Sequence, residues 1–405
     1  MKVVSPLIKR FGLLSGIQFI NFIFPFTIYF LLIYRISIQQ IGEISSWQMI
    51  FLILATISNY NFPLTLISIS EKLKQSPKTV ATLWNKILEF RYIFTIIIFS
   101  IVLITYSFLP LIALYSIFIL LGKLYNPSQL LLVLSRNNTF LTYNFVTKLV
   151  PLILIFFFIN ERTWLWTNFI IGISELLISV LFILRLKWNV FFGFRGFKKG
   201  IKYLKKERKS FYTQVLNTLI VLITVPFTHL FFGSYVAGII SVIEKIISFV
   251  RALSGNLFYA LLPNFDNFNN PSIGKISKKT HIISLYLALM VFGTIVLLVF
   301  IFSELISQKI IDKTIIKYLI ISSFASFPII MSTPFQIVYF KFNQIAKIYL
   351  YAKIQLVTLV FGILLLGNLF GIIGVILAIV LQEFVCYFLY RIKLPYSTLK
   401  MVAPK

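Results

Sequence analysis

Residues Val236–Pro263 read VAGIISVIEKIISFVRALSGNLFYALLP. The stretch is apolar enough and long enough to cross a membrane as a helix, which takes about 20 residues. It nevertheless holds Glu244, Lys245 and Arg251. Ser241, Glu244, Ser248, Arg251 and Gly255 recur at helical spacing and form one polar stripe. A charged side chain at mid-bilayer costs about 2.5–3.5 kcal/mol on insertion scales, so three facing lipid would cost roughly 9 kcal/mol. They must face a cavity or one another. Two readings stand: a structural Glu244–Arg251 pair, or a cationic wall for an anionic substrate. Arginine suits phosphate because its planar fork bonds bidentately.

The whole chain has the character of this stretch. Its 405 residues are 59% hydrophobic and only 12% charged, and 44 are Phe. A soluble globular protein carries about 25% charged residues. This balance excludes a soluble enzyme, a disordered chain and a fibrous protein. Apolar segments recur at 12–24, 46–69, 92–109, 111–134, 144–159, 164–184, 211–232, 235–262, 282–302, 314–339, 349–367 and 369–390. Pro110 splits 92–134 into two spans, and Gly367-Asn368 with Gly371 divides 349–390. The first segment lacks a small-x-small cleavage site and reads as a retained span, not a signal peptide. Twelve spans use roughly 240 residues. The remainder suffices for short loops and not for a soluble domain of ordinary size.

The net charge of +27 would suggest nucleic acid on a soluble chain; here its position along the spans matters. Alternate connections hold 30 of the 38 basic residues, the other connections hold Arg35, Arg162, Lys309, Lys313 and Lys317, and three fall inside spans. The rich set includes Lys86, Arg91, Lys148 and Lys353. This asymmetry places the basic loops and both termini in the cytoplasm. The densest run, Arg195–Lys209, reads either as an anionic-lipid contact or as an ordinary positive-inside loop.

That run also divides the chain. Lys9-x-Phe11 and Pro63 recur as Lys209-x-Phe211 and Pro263, and Arg136, Asn138 and Lys148 recur as Lys341, Asn343 and Lys353. The common order of these matches predicts two parallel six-helix lobes, 1–190 and 211–405, joined by a basic linker at 191–210. Such lobes alternate access around a central site. The expected fold is therefore an all-α membrane protein of about twelve transmembrane helices in two pseudo-symmetric lobes around a central cavity.

No phosphate-binding loop, HExxH motif or cysteine cluster is present, so neither nucleotide hydrolysis by that loop nor a cofactor is expected. Cys386 reads as a small buried hydrophobe, and His229 as an interfacial polar tip. The informative residues are polar ones inside spans. Gln18 and Asn21 lie in the first, Gln48, Thr56 and Asn59 in the second, and Gln214, Asn217, Thr224 and Thr228 in the seventh. The first two helices of each lobe thus line something polar, although interhelical hydrogen bonds are an equal reading for Asn and Gln. Lys123, Glu175 and Glu383 are also intramembrane. They are either coupling sites for protons or sodium or, for Lys123 and Glu175, a salt bridge within the first lobe.

The text AGIISVIEKIISFVRALSGNLFYALLPNF, the opening FGLLSGIQFINFIFPFTIYFLLIYRISIQQIGEISSWQ with Gly42 near the start of span 2, and the basic middle loop resemble the bacterial polysaccharide flippases of the multidrug/oligosaccharidyl-lipid/polysaccharide (MOP) exporter superfamily. The likeness covers essentially the whole chain as a diffuse pattern. It implies translocation of an undecaprenyl-pyrophosphate-linked oligosaccharide across the bacterial cytoplasmic membrane, for O-antigen, capsule or exopolysaccharide synthesis. By position, Arg251 and Lys245, beside Glu244, would meet the pyrophosphate or acidic sugars. Asn21, Asn59, Asn217 and Asn256, with Gln18 and Gln214 nearby, would meet the sugars. Implied partners are that lipid, membrane lipids, a polysaccharide polymerase and a chain-length regulator. The first span lacks the cationic residues of peptidoglycan-precursor flippases, and twelve spans also point away from that branch. A drug/cation antiporter of the superfamily would be expected to carry a carboxylate between Phe11 and Ile33; there is none. A polymerase would need a long external loop.

Overall fold

The structure is a computed structural model that describes residues 23–59, 77–105, 107, 109–134, 137–186, 211–261, 273–306, 313–341 and 344–392. Among these residues every regular element is helical. They fall into two compact units divided between Gly238 and Ile239.

The first unit holds α1 (Ile23–Arg35), α2 (Ile38–Asn59), α3 (Pro77–Ile104), α4 (Leu111–Leu124), α5 (Ser128–Val133) and α6 (Asn137–Phe158). A 3₁₀ turn, Trp164–Trp166, leads into α7 (Thr167–Arg185), and α8 covers residues 211–222. The unit boundary falls inside α9 (Thr224–Leu261), where two helices meet at Gly233, with φ 83° and ψ 173°. The second unit continues with α10 (Ile273–Ile306), α11 (Lys313–Ser323), α12 (Ser326–Lys341), α13 (Ile345–Phe370) and α14 (Ile372–Ile392).

Eight helices among the described residues are long and apolar enough to cross a membrane, with Ile23–Arg35 and Leu111–Leu124 as shorter apolar companions. Among the described residues, the apolar segments from 92–109 onward each have a helix, or a broken pair of helices, in their place, and most of the first segment, 12–24, lies outside them. The all-α membrane fold expected from the sequence is the one observed. On α13, Val357, Phe361, Leu365 and Leu369 recur every four residues and are 54–67% exposed. A stripe of that kind suits a lipid-facing surface.

The helix ends correct several expectations. α3 starts at Pro77, well before residue 92, so Lys86 and Arg91 are helical residues and not loop residues. Lys148 lies within α6 and Lys353 within α13. A helix need not stop where its apolar face stops, and long basic side chains extend toward the membrane surface. The break between the last two spans is at Gly371, where φ is 60° and the amide bonds to Gly367 O at 2.8 Å. A left-handed residue there ends α13 at no steric cost. The break expected at Pro110 is present: it is the N-cap of α4.

Packing follows the small residues. α4 runs along α7, and a Cβ added at Gly172 would collide with the Phe118 backbone. Gly122 faces Gly172 O and the Glu175 side chain across the same contact. In the membrane, close backbone approach of this kind stands in for the hydrophobic drive that water supplies elsewhere. Ile28, Tyr29, Leu32, Ile41, Ile44, Ile112, Ile155 and Ile170 form the core around α1, α2, α4, α6 and α7. In the second unit Phe335, Tyr339, Tyr351, Cys386, Tyr387 and Tyr390 pack together, with the Cys386 thiol buried.

Candidate functional site

The polar stripe of α9 meets one residue of α14. Nη1 of Arg251 donates to Glu244 Oε2 at 3.1 Å. Its Nε and Nη2 both donate to a single oxygen, Oε1 of Glu383, at 3.0 and 2.8 Å. Glu244 is 2% exposed and Glu383 6%, while the Arg251 side chain keeps 16%. Glu244 and Arg251 share a face because seven residues are two helical turns. Glu383 comes from the last helix of the chain. Next along α9, Ser254 Oγ bonds Thr333 Oγ1 at 2.6 Å and donates to Ile329 O at 3.2 Å, which ties the helix to α12.

With both carboxylates ionised, these three side chains carry one net negative charge. Arg251 is therefore held as a counter-ion, and not as the bare cationic wall of the second sequence reading. The structural pair of the first reading is present and is enlarged by Glu383, which sequence reasoning had set apart as an ion-coupling candidate. Lys245 is half-buried on α9. Asn256, two turns beyond Ser248, is 3% exposed, and its Nδ2 has no hydrogen-bond partner.

The first unit holds a second charged cluster. Lys123 Nζ lies 2.6 Å from Glu175 Oε1, and Asn126 Nδ2 donates to the same oxygen at 2.9 Å. Asn126 Oδ1 accepts from Ser128 N at 2.9 Å, which starts α5 after the Pro127 break. The Lys123–Glu175 salt bridge weighed from sequence is thus made, and it joins α4 to α7.

Arg91 was missed as a buried polar residue. It is 4% exposed, and its Nη1 donates to Leu124 O at 2.9 Å and to Asn126 O at 3.0 Å. It therefore satisfies carbonyls at the C-terminal end of α4 that have no helical partner. The signal was present: Trp84, Ile87, Leu88 and Arg91 follow i, i+3, i+4, i+7 and all four are buried. The positive-inside tally hid it by counting every basic residue between spans as a loop residue.

The remaining candidates are dispersed. Asn59 Oδ1 and Gln214 Oε1 are buried without a hydrogen-bond partner, and Asn217 is exposed. Gln18, Asn21 and the 191–210 linker lie outside the described residues. His229 Nε2 is 3.1 Å from Ser234 Oγ, which in turn donates to Glu43 Oε1 at 3.5 Å. Among the described residues no three His, Cys, Asp or Glu side chains gather as a metal site would require.

No protein-family model matches the sequence, and no curated protein is significantly similar to it. Solved structures are similar. An inward-facing multidrug resistance MATE transporter of the MOP superfamily matches with a TM-score of 0.72 at 13% identity, over 96% of each chain. The lipid II flippase MurJ in an inward closed conformation matches with 0.70 at 15% identity, over 96% of this chain and 90% of that one. The chain shares its fold with both. An outward-facing MATE transporter matches with 0.61 at 14% identity, over 99% of each chain. These neighbours are transporters and flippases.

Proposed function

We propose that this MOP-fold protein is a flippase for an undecaprenyl-pyrophosphate-linked oligosaccharide, moving it to the outer leaflet of a bacterial cytoplasmic membrane by alternating access. The polymer made from it would be O-antigen, capsule or exopolysaccharide. The observation that carries the reading is Arg251: a guanidinium inside a membrane-spanning helix that keeps part of its surface accessible beside two buried carboxylates. Its fork matches a phosphoryl group, and an ionisable residue inside a membrane-spanning helix marks a functional site. Support comes from Asn256 on the same helix, whose buried Nδ2 lacks a partner. Amides in that condition gain by bonding sugar hydroxyls. A polysaccharide polymerase and its chain-length regulator are the expected downstream partners.

A second reading is a cation-coupled antiporter for drugs or small molecules. The buried carboxylates Glu175 and Glu383 favour it, as does the fold shared with MATE transporters. Complementation separates the two. The gene should restore surface polysaccharide in a bacterial strain that lacks its repeat-unit flippase, with an immunoblot to verify membrane abundance. Restored drug resistance without surface polysaccharide would favour the antiporter.

A further inference from the structure

We propose that Glu383 is a tethered counter-ion occupying the anion-binding edge of Arg251, and that the substrate's anionic group takes its place as Glu383 gains a proton. The inference rests on the flippase reading of Arg251 above. A phosphate oxygen pair grips arginine along one edge of the guanidinium, with two parallel N–H donors. In this structure the Nε/Nη2 edge is filled by one carboxylate oxygen of Glu383. Bidentate capture of a phosphoryl group at that edge and the Arg251–Glu383 contact are mutually exclusive.

Glu244 does not play the same part. It sits on the same helix as Arg251 and takes a single N–H from Nη1. Its register to Arg251 is fixed by α9, whereas Glu383 belongs to α14 and can part from Arg251 without unwinding either helix. While Glu383 is ionised, the three side chains carry a net charge of −1, and an incoming pyrophosphate meets repulsion as well as an occupied fork. One proton taken from water by the Glu383 carboxylate makes it a neutral acid. The net charge becomes zero and the edge is released. Proton and anion then favour each other's binding, and by linkage the effect is reciprocal.

Other titratable groups around this contact are Glu244 on α9 and Cys386 on α14, whose thiol packs with Tyr339, Tyr351, Tyr387 and Tyr390; His281 of α10 stacks on Tyr387. None of these replaces Glu383 on the guanidinium. The Arg391 guanidinium is engaged with Tyr387, its Nη1 donating to the hydroxyl at 2.9 Å.

The test is equilibrium binding of farnesyl pyrophosphate to the full-length protein in lipid nanodiscs, at about pH 4.5 and about pH 8, near and far above the free glutamate value of about 4.3. Inorganic pyrophosphate is the second probe, separating headgroup capture from capture that needs a lipid tail. The probe's own ionisation cancels when variants are compared at one pH. Glu383→Gln should bind about ten-fold or more tighter than wild type at the higher pH, the scale of one lost charge-assisted contact. The advantage should shrink at the lower pH, and Glu244→Gln should show a smaller gain. Arg251→Ala should lose binding. If Glu383→Gln does not fold, Glu383→Asp is read in its place and should show a partial gain, because the shorter side chain reaches Arg251 less well. Loss of binding in Arg251→Ala with no gain in the Glu383 variants would overturn this inference and leave the anion-site reading standing. Equal binding by wild type and Arg251→Ala, or none by either, would overturn the anion-site reading itself.

Discussion

Glu175 receives Lys123 Nζ and Asn126 Nδ2 on one oxygen, between α4 and α7. Removing one partner of a buried pair leaves the other charge stranded, which costs about 3 kcal/mol or more, whereas an apolar pair of similar size is often neutral. Lys123→Met should therefore lower the thermal midpoint in detergent, and Lys123→Met/Glu175→Leu should recover most of it. If Glu175 instead carries a coupling ion, the double variant will be stable yet inactive in transport. Arg91 belongs to the same neighbourhood. Arg91→Leu strips the Leu124 and Asn126 carbonyls of their donor and should cost about 1–3 kcal/mol per unsatisfied buried group, read by the same scan. At this scale the sequence was informative wherever a charge lay in an apolar run, since such a charge must find company. It did not tell which company. Glu383 lies 132 residues from Arg251, and only the hydrogen bonds between α9 and α14 join them.

Among the elements, α4 makes a close backbone contact with α7. The Phe118 backbone occupies the place a Gly172 side chain would take. Gly172→Ala should force the helices apart and destabilise the protein. Gly255 makes the matching control: it lies within α9, and a Cβ there meets nothing within 4 Å. Gly255→Ala should leave stability unchanged or raise it by about 0.5–1 kcal/mol, the usual gain from replacing glycine in a helix. Equal losses in the two variants would show that the α4–α7 approach is not limiting. Spans were legible because apolar runs and proline breaks mark them, as Pro110 does. Their ends were not. α3 begins at Pro77 through polar sequence, and α13 continues past Gly367-Asn368 to Gly371, because helical hydrogen bonding and lipid contact obey separate limits.

For the whole molecule, the alternating charge pattern makes a topology prediction. Reporter fusions at Lys198 and Lys275 should report cytoplasm, and fusions at Ser107 and Ser234 the outside. An external signal at Lys198 would break the two-lobe scheme, in which the 191–210 linker is cytoplasmic. Overall fold class was legible from composition and charge alternation, because an apolar chain of this length has few stable solutions in a bilayer. Substrate identity was not, because solved structures of this fold include a lipid II flippase and multidrug transporters, and fold does not fix function. The measurement that bears most directly on the central claim is transbilayer movement of undecaprenyl-pyrophosphate-linked oligosaccharide in proteoliposomes holding the purified chain and no nucleotide. Wild-type protein should move the lipid, an imposed ion gradient should change the rate, and Arg251→Ala should be inactive at equal abundance. No movement by wild type, in vesicles that do exchange a cationic dye for protons or sodium, would contradict the account.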